Sequence, residues 1–141
     1  MPVYWLTKDE ISFPPAYLAN DDGILAIGGD LSVDRLLTAY GNGIFPWFNE
    51  HDPIIWWSPD PRFVLYPTDL KVAKSMRPYF NQKKFRVTAD QQFETVMRTC
   101  QQIRRDGQSG GTWITENMVE GYVALHKEGY AHSIEVWKDD E

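Results

Sequence analysis

The sequence predicts an α+β protein in two parts: a small domain rich in proline and aromatic residues over 1–60, and a mixed domain of helices and strands over 61–141. Three observations lead there. Prolines at 46, 53, 59, 61 and 67 deny helix to most of 46–67 and favour extended backbone. Beyond Pro67, apolar residues recur at helical spacing in three stretches and alternate in two others. The 141 residues, 43% hydrophobic and 14% aromatic, suffice for one domain, or for a small domain and part of another.

The elements follow in order. Phe13-Pro-Pro and Asp22 to Asp30 read as loops, the second because Gly23, Gly28 and Gly29 punctuate it. Ser32 is placed to cap a helix with Leu36, Leu37 and Tyr40 as its apolar stripe, ended by Gly41 and Gly43. Gly43-Ile-Phe-Pro-Trp-Phe48 is again loop-like. From 61 the expected order is strand, helix, strand, helix, helix, strand. Leu70, Ala73, Met76 and Phe80 predict the first helix, with Lys71 and Lys74 on other faces. Phe85 and Val87 alternate with Lys84, Arg86 and Thr88 as a half-buried strand. Asp90 is placed to cap a helix that buries Phe93, Val96, Met97, Cys100 and Ile103. After a loop over Gly107 to Gly111, Thr115 is placed to cap a third helix through Met118, Tyr122 and Leu125, stopped at Gly129. His132, Ile134 and Val136 then alternate with Ser133, Glu135 and Trp137 as a strand. It runs into the acidic stretch Asp139-Asp140-Glu141, and such a strand is expected to continue into a partner strand, as in a fragment of a longer protein.

Composition excludes several classes. The balance of 24% charged and 43% hydrophobic residues is not that of a disordered chain, a collagen or a coiled coil. No run of 18 apolar residues is present to span a membrane, and Met1 to Glu10 lacks a basic segment followed by an apolar one. A cytoplasmic protein without membrane contact is expected. The single cysteine, Cys100, permits no internal disulfide. The net charge of −6 is unevenly spread: residues 1–60 sum to −7, whereas Arg62 to Arg105 sum to +7, with ten basic residues against Asp69, Asp90 and Glu94. That middle segment reads either as a local patch for a polyanion or as a solvated helix face.

The usual catalytic signatures are missing. His51, His126 and His132 share no metal-ligand spacing, so no metal is expected; His126 lies near a helix end and His132 is expected in or beside the core. Neither a Gly-x-Ser-x-Gly elbow nor a Gly-Lys phosphate loop occurs. Ile27-Gly28-Gly29-Asp30 lacks the three-glycine dinucleotide fingerprint and reads as a tight turn bringing backbone close to another element. Cys100, at the spacing of a buried residue, reads as inert. The tryptophans carry more information. Trp56 and Trp57 are adjacent in extended backbone and so face opposite sides. Trp56 and Trp137 read as core. Trp47 and Trp113 flank loops, where an indole face is free to stack on a nucleobase, on an apolar side chain or on a sugar. A carbohydrate-binding module is equally compatible with that composition.

Seven blocks, in order, resemble one family. They are Gly23-Ile-Leu-Ala-Ile-Gly-Gly-Asp-Leu-Ser32, Arg35-Leu-Leu-Thr-Ala-Tyr40, Gly43-Ile-Phe-Pro-Trp-Phe48, Trp56-Trp-Ser-Pro-Asp-Pro-Arg62, Arg86-Val-Thr88, Gly111-Thr-Trp-Ile114 and Ala131-His-Ser-Ile-Glu-Val-Trp137. The family is the leucyl/phenylalanyl-tRNA–protein transferases. The resemblance implies that the second domain is the first part of a GNAT-like acyltransferase domain. It implies transfer of leucine or phenylalanine, and less well methionine, from aminoacyl-tRNA to acceptor proteins or peptides whose N-terminal residue is arginine or lysine, marking them for degradation by the N-end rule. It implies a monomer that needs no cofactor.

Carried over position by position, the family's aromatic pair at the 3′ adenosine and aminoacyl pocket matches Trp47 and Trp113, with Phe45 as pocket wall. The tRNA-facing basic patch corresponds to Lys71, Lys74, Arg77, Lys83, Lys84 and Arg86, although Lys83 and Lys84 stand near the family's basic pair rather than on it. The family continues past the Glu-Val-Trp strand into a glycine-rich hairpin and a core strand with an acidic residue and a glutamine. Catalytic residues are therefore expected beyond Glu141, and Asp139, Asp140 and Glu141 do not stand in for them. The competing reading is a non-catalytic module that binds tRNA, another RNA or a protein.

Overall fold

A computed structural model describes residues 3–103 and 112–138. The loop expected over Gly107 to Gly111, the basic residues Arg104 and Arg105, and Asp139 to Glu141 lie outside the described residues. Among the described residues the fold is a mixed α+β arrangement of four α-helices and two small sheets.

The first sheet has the order β1-β2-β4-β3, from β1 (Tyr4–Leu6), β2 (Ile24–Gly28), β3 (Phe45–Pro46) and β4 (Ile55–Trp57). β1 runs parallel to β2; β4 pairs antiparallel with β2 and with β3. β2, one of the two inner strands, occupies the stretch expected to be a loop. Leu25 and Ala26 are successive and both fully buried, so both faces of the strand are covered. A continuous apolar run of this length carries no alternation, and its flanking glycines imitate turn signals.

The tight turn expected at 27–30 is present. Gly28 takes φ +95°, and a Cβ there would stand 2.8 Å from the Leu6 carbonyl oxygen, so only glycine lets β1 approach. The Gly28 N–H donates to Ile54 O at 2.8 Å, the Gly29 N–H to Leu6 O at 3.0 Å, and the Trp56 indole N–H to Gly28 O at 2.9 Å.

Helix α1 (Val33–Gly41) starts after Ser32, whose carbonyl accepts from Leu36 N–H at 2.9 Å while its hydroxyl makes no cap bond. Arg35 in its first turn is fully buried. Its guanidinium donates to Asp30 at 3.3 Å, to Thr7 O at 2.8 Å and to Glu10 O at 3.1 Å, tying the chain after β1 to the helix. Leu36 and Ala39 from α1 join Leu25, Ala26, Ile44 and Trp56 in the main core.

The same core takes Leu125 from α4 (Glu116–Lys127). Thr115 caps α4 as the sequence indicates, its hydroxyl accepting from Met118 N–H at 3.3 Å. Gly121 sets the approach: a Cβ there would lie 2.9 Å from Leu31 O. α4 therefore packs on α1 as well as on the helix preceding it, α3 (Phe93–Gln102).

The strand expected at the start of the second part and the helix from Leu70 to Phe80 do not form. The chain over 58–76 is irregular apart from two single 3₁₀ turns, and only α2 (Arg77–Asn81) is helical. Pro78 explains the break. Within a helix from 70 to 80 it would lack an N–H and meet the carbonyl of Lys74, whereas at the first turn of α2 it is tolerated. Leu70, Val72, Met76 and Phe80 remain exposed, so tertiary packing offers no compensation.

The second sheet pairs β5 (Arg86–Ala89) antiparallel with β6 (Ile134–Trp137), with Thr88 opposite Glu135 and Val87 opposite Val136. Two expectations about α3 change. Asp90 does not cap it: at φ +59° it instead accepts from Ser133 N–H at 2.9 Å and holds His132 Nδ1 at 2.7 Å. The N-terminus of α3 is served from β6, where Glu135 accepts from Gln92 N–H at 3.2 Å. Cys100 and Ile103 are exposed and Val96 and Met97 half-buried, rather than all four buried, because α3 turns only Phe93 fully inward. His132, expected in or beside the core, is 62% exposed and held at the surface by Asp90. Among the described residues no helix is long and apolar enough to cross a membrane.

Candidate substrate platform

The tryptophans at 47 and 113 reach the surface through the same device. Each directly precedes a buried anchor: Phe48 after Trp47, Ile114 after Trp113. Both anchors are 7% exposed and belong to one apolar cluster with Met118 and Val119 of α4. The indoles themselves are 49% and 38% exposed. Two loops distant in sequence thus present their indoles beside a shared anchor. Around Trp113 the chain turns tightly, with Ile114 N–H donating to Thr112 Oγ1 at 3.2 Å and Thr115 N–H to Trp113 O at 3.2 Å, before Thr115 caps α4.

Trp47 is fixed from β4. Its N–H donates to Ile55 O at 2.9 Å, and its carbonyl accepts the Trp57 indole N–H at 2.7 Å. The two rings lie 5.5 Å apart at 49°. Phe45, the expected pocket wall, is half-buried opposite Trp57 in the β3–β4 register. The Arg62 guanidinium stands 4.8 Å from the Phe45 ring centroid and donates to Gly43 O at 2.9 Å. Sequence reasoning did not single out Trp57 and Arg62 as neighbours of Trp47 and Phe45. The Trp57 contact depends on strand register, which the run of prolines hides, and the Arg62 contact on the path of the chain after β4. Trp56 is fully buried as read, and Trp137 is half-buried with its indole N–H on Thr88 Oγ1 at 2.8 Å.

The basic residues Lys71, Lys74, Arg77, Lys83, Lys84 and Arg86 are all exposed, strung along the segment that adds nothing to either core cluster. Among the described residues, no carboxylate pairs with Lys71, Lys74, Arg77, Lys83 or Lys84. Aromatic rings are interleaved with them. Lys84 Nζ lies 5.3 Å from the Tyr79 ring centroid, Arg86 Cζ lies 5.0 Å from that of Trp137, and Tyr79 stacks on Phe85 at 5.8 Å. Exposed cations interleaved with rings form a surface suited to phosphates and bases rather than to a protein core.

A second polar cluster lies where β5 meets α3. The hydrogen bond from His132 and the Ser133 N–H hold the Asp90 carboxyl below its ordinary value, and Asp90 in turn raises His132. Glu135, buried, is lowered by the hydroxyls of Ser133 and Thr88, each donating at 2.5 Å. Between α1 and α4 the hydroxyls of Tyr40 and Tyr122 bond to each other; burial, and then that bond, push Tyr122 upward. Among the described residues no group of three or more His, Cys, Asp or Glu side chains is placed to hold a metal ion.

Comparison with known proteins shows the family. Residues 64–141 match the family model described as leucyl/phenylalanyl-tRNA protein transferase, and residues 29–60 match the model for its N-terminal domain. The chain is 55% identical over 136 residues to the leucyl/phenylalanyl-tRNA–protein transferase of Christiangramia forsetii, covering 96% of this chain and 63% of that protein. Over 138 residues it is 54% identical to the protein of the same name from Flavobacterium johnsoniae, covering 98% and 64%. A third relative, from Syntrophobacter fumaroxidans, is 52% identical over 141 residues, covering 100% of this chain and 59% of its own length. The chain spans about three fifths of the length of these relatives. With both family models matched in order along it, this chain belongs to the leucyl/phenylalanyl-tRNA–protein transferase family.

Proposed function

We propose that the protein containing this chain transfers leucine or phenylalanine, and less well methionine, from aminoacyl-tRNA to the N-terminal arginine or lysine of acceptor proteins, marking them for N-end-rule degradation. The observation that carries this reading is that Trp47 and Trp113 are both exposed and each directly precedes a residue of one buried apolar cluster. Two indole faces held this way form a platform for the 3′ adenosine, where stacking on an aromatic side chain is worth about 1–3 kcal/mol per base. Phe45 closes one wall. The exposed lysines from Lys71 to Lys84, with Arg77 and Arg86, meet the tRNA backbone.

The ester joining amino acid to tRNA is already activated. The chemistry is attack of a neutral α-amine on its carbonyl, which requires orientation of both partners, removal of a proton and stabilisation of the oxyanion. The roles assigned to this chain's own residues are binding roles. Leucine or phenylalanine is then selected over isoleucine or valine by pocket shape, since one methylene is worth only about 1–3 kcal/mol. In this reading 1–60 is the small N-terminal domain, 61–141 opens a GNAT-like domain, and the enzyme is a cytoplasmic monomer that works without a cofactor.

The test is a transfer assay with the full-length protein, leucyl-tRNA and a peptide with N-terminal arginine. Extension of the peptide by one leucine, abolished when the peptide is N-acetylated, supports the reading. Binding of tRNA without extension favours the non-catalytic module.

A further inference from the structure

We propose that Trp57 is a positioning residue for Trp47, fixing the indole on which the adenosine stacks; this rests on the reading of Trp47 given above. The doublet Trp56-Trp57 divides its work by strand alternation. Register places Pro46 opposite Trp56 and Phe45 opposite Trp57. Trp56 points into the core, fully buried, with its indole N–H on Gly28 O at 2.9 Å. Trp57 faces the other way, on the side of the sheet that carries Phe45, and its ring meets that of Trp47 at 5.5 Å.

The contact is more than ring packing. The Trp57 indole N–H donates to Trp47 O at 2.7 Å while Trp47 N–H donates to Ile55 O at 2.9 Å, so both backbone polar groups of Trp47 are bound to β4. The peptide planes on either side of the Trp47 Cα are thereby set, and the neighbouring ring restricts which rotamers the exposed indole samples. Ordering a side chain before the ligand arrives removes that cost from binding. Trp57 need not touch the ligand to do this.

The test uses the full-length protein and a stable probe, the phenylalanyl amide of 3′-amino-3′-deoxyadenosine, with ¹⁵N-labelled indoles as reporters. In the parent the probe shifts the Trp47 indole signal. Trp57→Phe keeps a ring and loses the N–H; the expected loss of affinity is about five- to tenfold, the worth of one hydrogen bond. The Trp56 indole signal stays in place, showing an intact core, and the probe-induced shift at Trp47 shrinks. Benzothienylalanine at position 57, which replaces only the N–H by sulfur, gives the same result without changing shape. Trp57→Leu, which also removes the ring, loses more. Parent-like affinity and an unaltered Trp47 shift in all three variants overturn the inference. Trp47→Ala separates the two levels: if it lowers affinity while the Trp57 variants do not, only the role of Trp57 falls. If Trp47→Ala leaves affinity unchanged, the platform reading falls and takes this inference with it.

Discussion

Phe48 and Ile114 pack in one buried cluster, each 7% exposed and each the immediate neighbour of an exposed tryptophan. Core packing and the exposure of the two indoles are thus coupled through single peptide units. Truncating Ile114 to alanine leaves a cavity between the two loops and is expected to cost about 2–5 kcal/mol. Urea unfolding measures the loss, and the conservative Ile114→Val, at about 0.5–1.5 kcal/mol, separates it from gross misfolding. Equal midpoints for both variants and the parent would mean the cluster does not hold the loops.

Gly28→Ala tests the turn that lets β1 join the sheet. The added methyl meets Leu6 O at 2.8 Å on a backbone at φ +95°, so the substitution combines a clash with left-handed strain. A loss greater than about 1 kcal/mol is expected. Chemical denaturation followed by tryptophan fluorescence reads it, and a stability equal to the parent's would contradict the close approach.

The His132–Asp90 pair gives a pH signature with a defined sign. His132 is raised from 6.5 by Asp90, so its contribution is full below that value and is lost as pH rises through the raised one. Asp90 is lowered from 3.8 mainly by His132 and the Ser133 N–H, so its contribution is present above that value and is lost as pH falls through the lowered one. His126, whose Nδ1 lies 4.0 Å from Asp90, faces the same carboxylate. The pair therefore stabilises most between about pH 4 and about pH 6.5. His132→Gln should remove the decline in urea midpoint between about pH 6 and about pH 8. A decline of the same size in parent and variant would assign it to other groups.

Lys83→Ala with Lys84→Ala probes the exposed basic segment. If these side chains meet tRNA phosphates, the double variant binds tRNA more weakly, and its log–log salt slope is shallower by about one for each phosphate no longer neutralised. Titrations at several salt concentrations supply the slope, and a slope identical to the parent's rules the two lysines out of the interface.

Elements with local signals were legible in the sequence. Helix α1, the Thr115 cap of α4 and the extended runs of β5 and β6 all arise from neighbouring residues. The faces of the second sheet, however, are reversed from the expected ones: Ser133 and Glu135 are buried while Val87, Ile134 and Val136 are exposed, and Tyr40 of the α1 stripe is exposed as well. What was not legible depends on distant partners. The apolar run Ile24 to Ile27 becomes an inner strand only because β1 and β4 flank it. Arg35, which no local pattern marks as a core residue, is buried because Thr7, Glu10 and Asp30 converge on it. Asp90 gives up its cap role to Glu135 across the β5–β6 pair. The Leu70–Phe80 helix is a different case, since Pro78 stands in the sequence and outweighs the apolar spacing around it. Motif and loop position mark Trp47 and Trp113, and the motif alone marks Phe45. Trp57, by contrast, meets Trp47 through strand register and Arg62 meets Phe45 through the path of the chain after β4, which no local pattern displays.

The most direct test of the substrate platform is Trp113→Ala in the full-length protein, read as kcat/KM for leucine transfer together with the melting temperature. Trp113 is 38% exposed and its anchor Ile114 is untouched, so the fold should hold. Loss of one stacking face, worth about 1–3 kcal/mol, predicts a fall in kcat/KM of about five- to 150-fold at nearly unchanged melting temperature. Transfer kinetics equal to the parent's would contradict the assignment of the adenosine to Trp47 and Trp113.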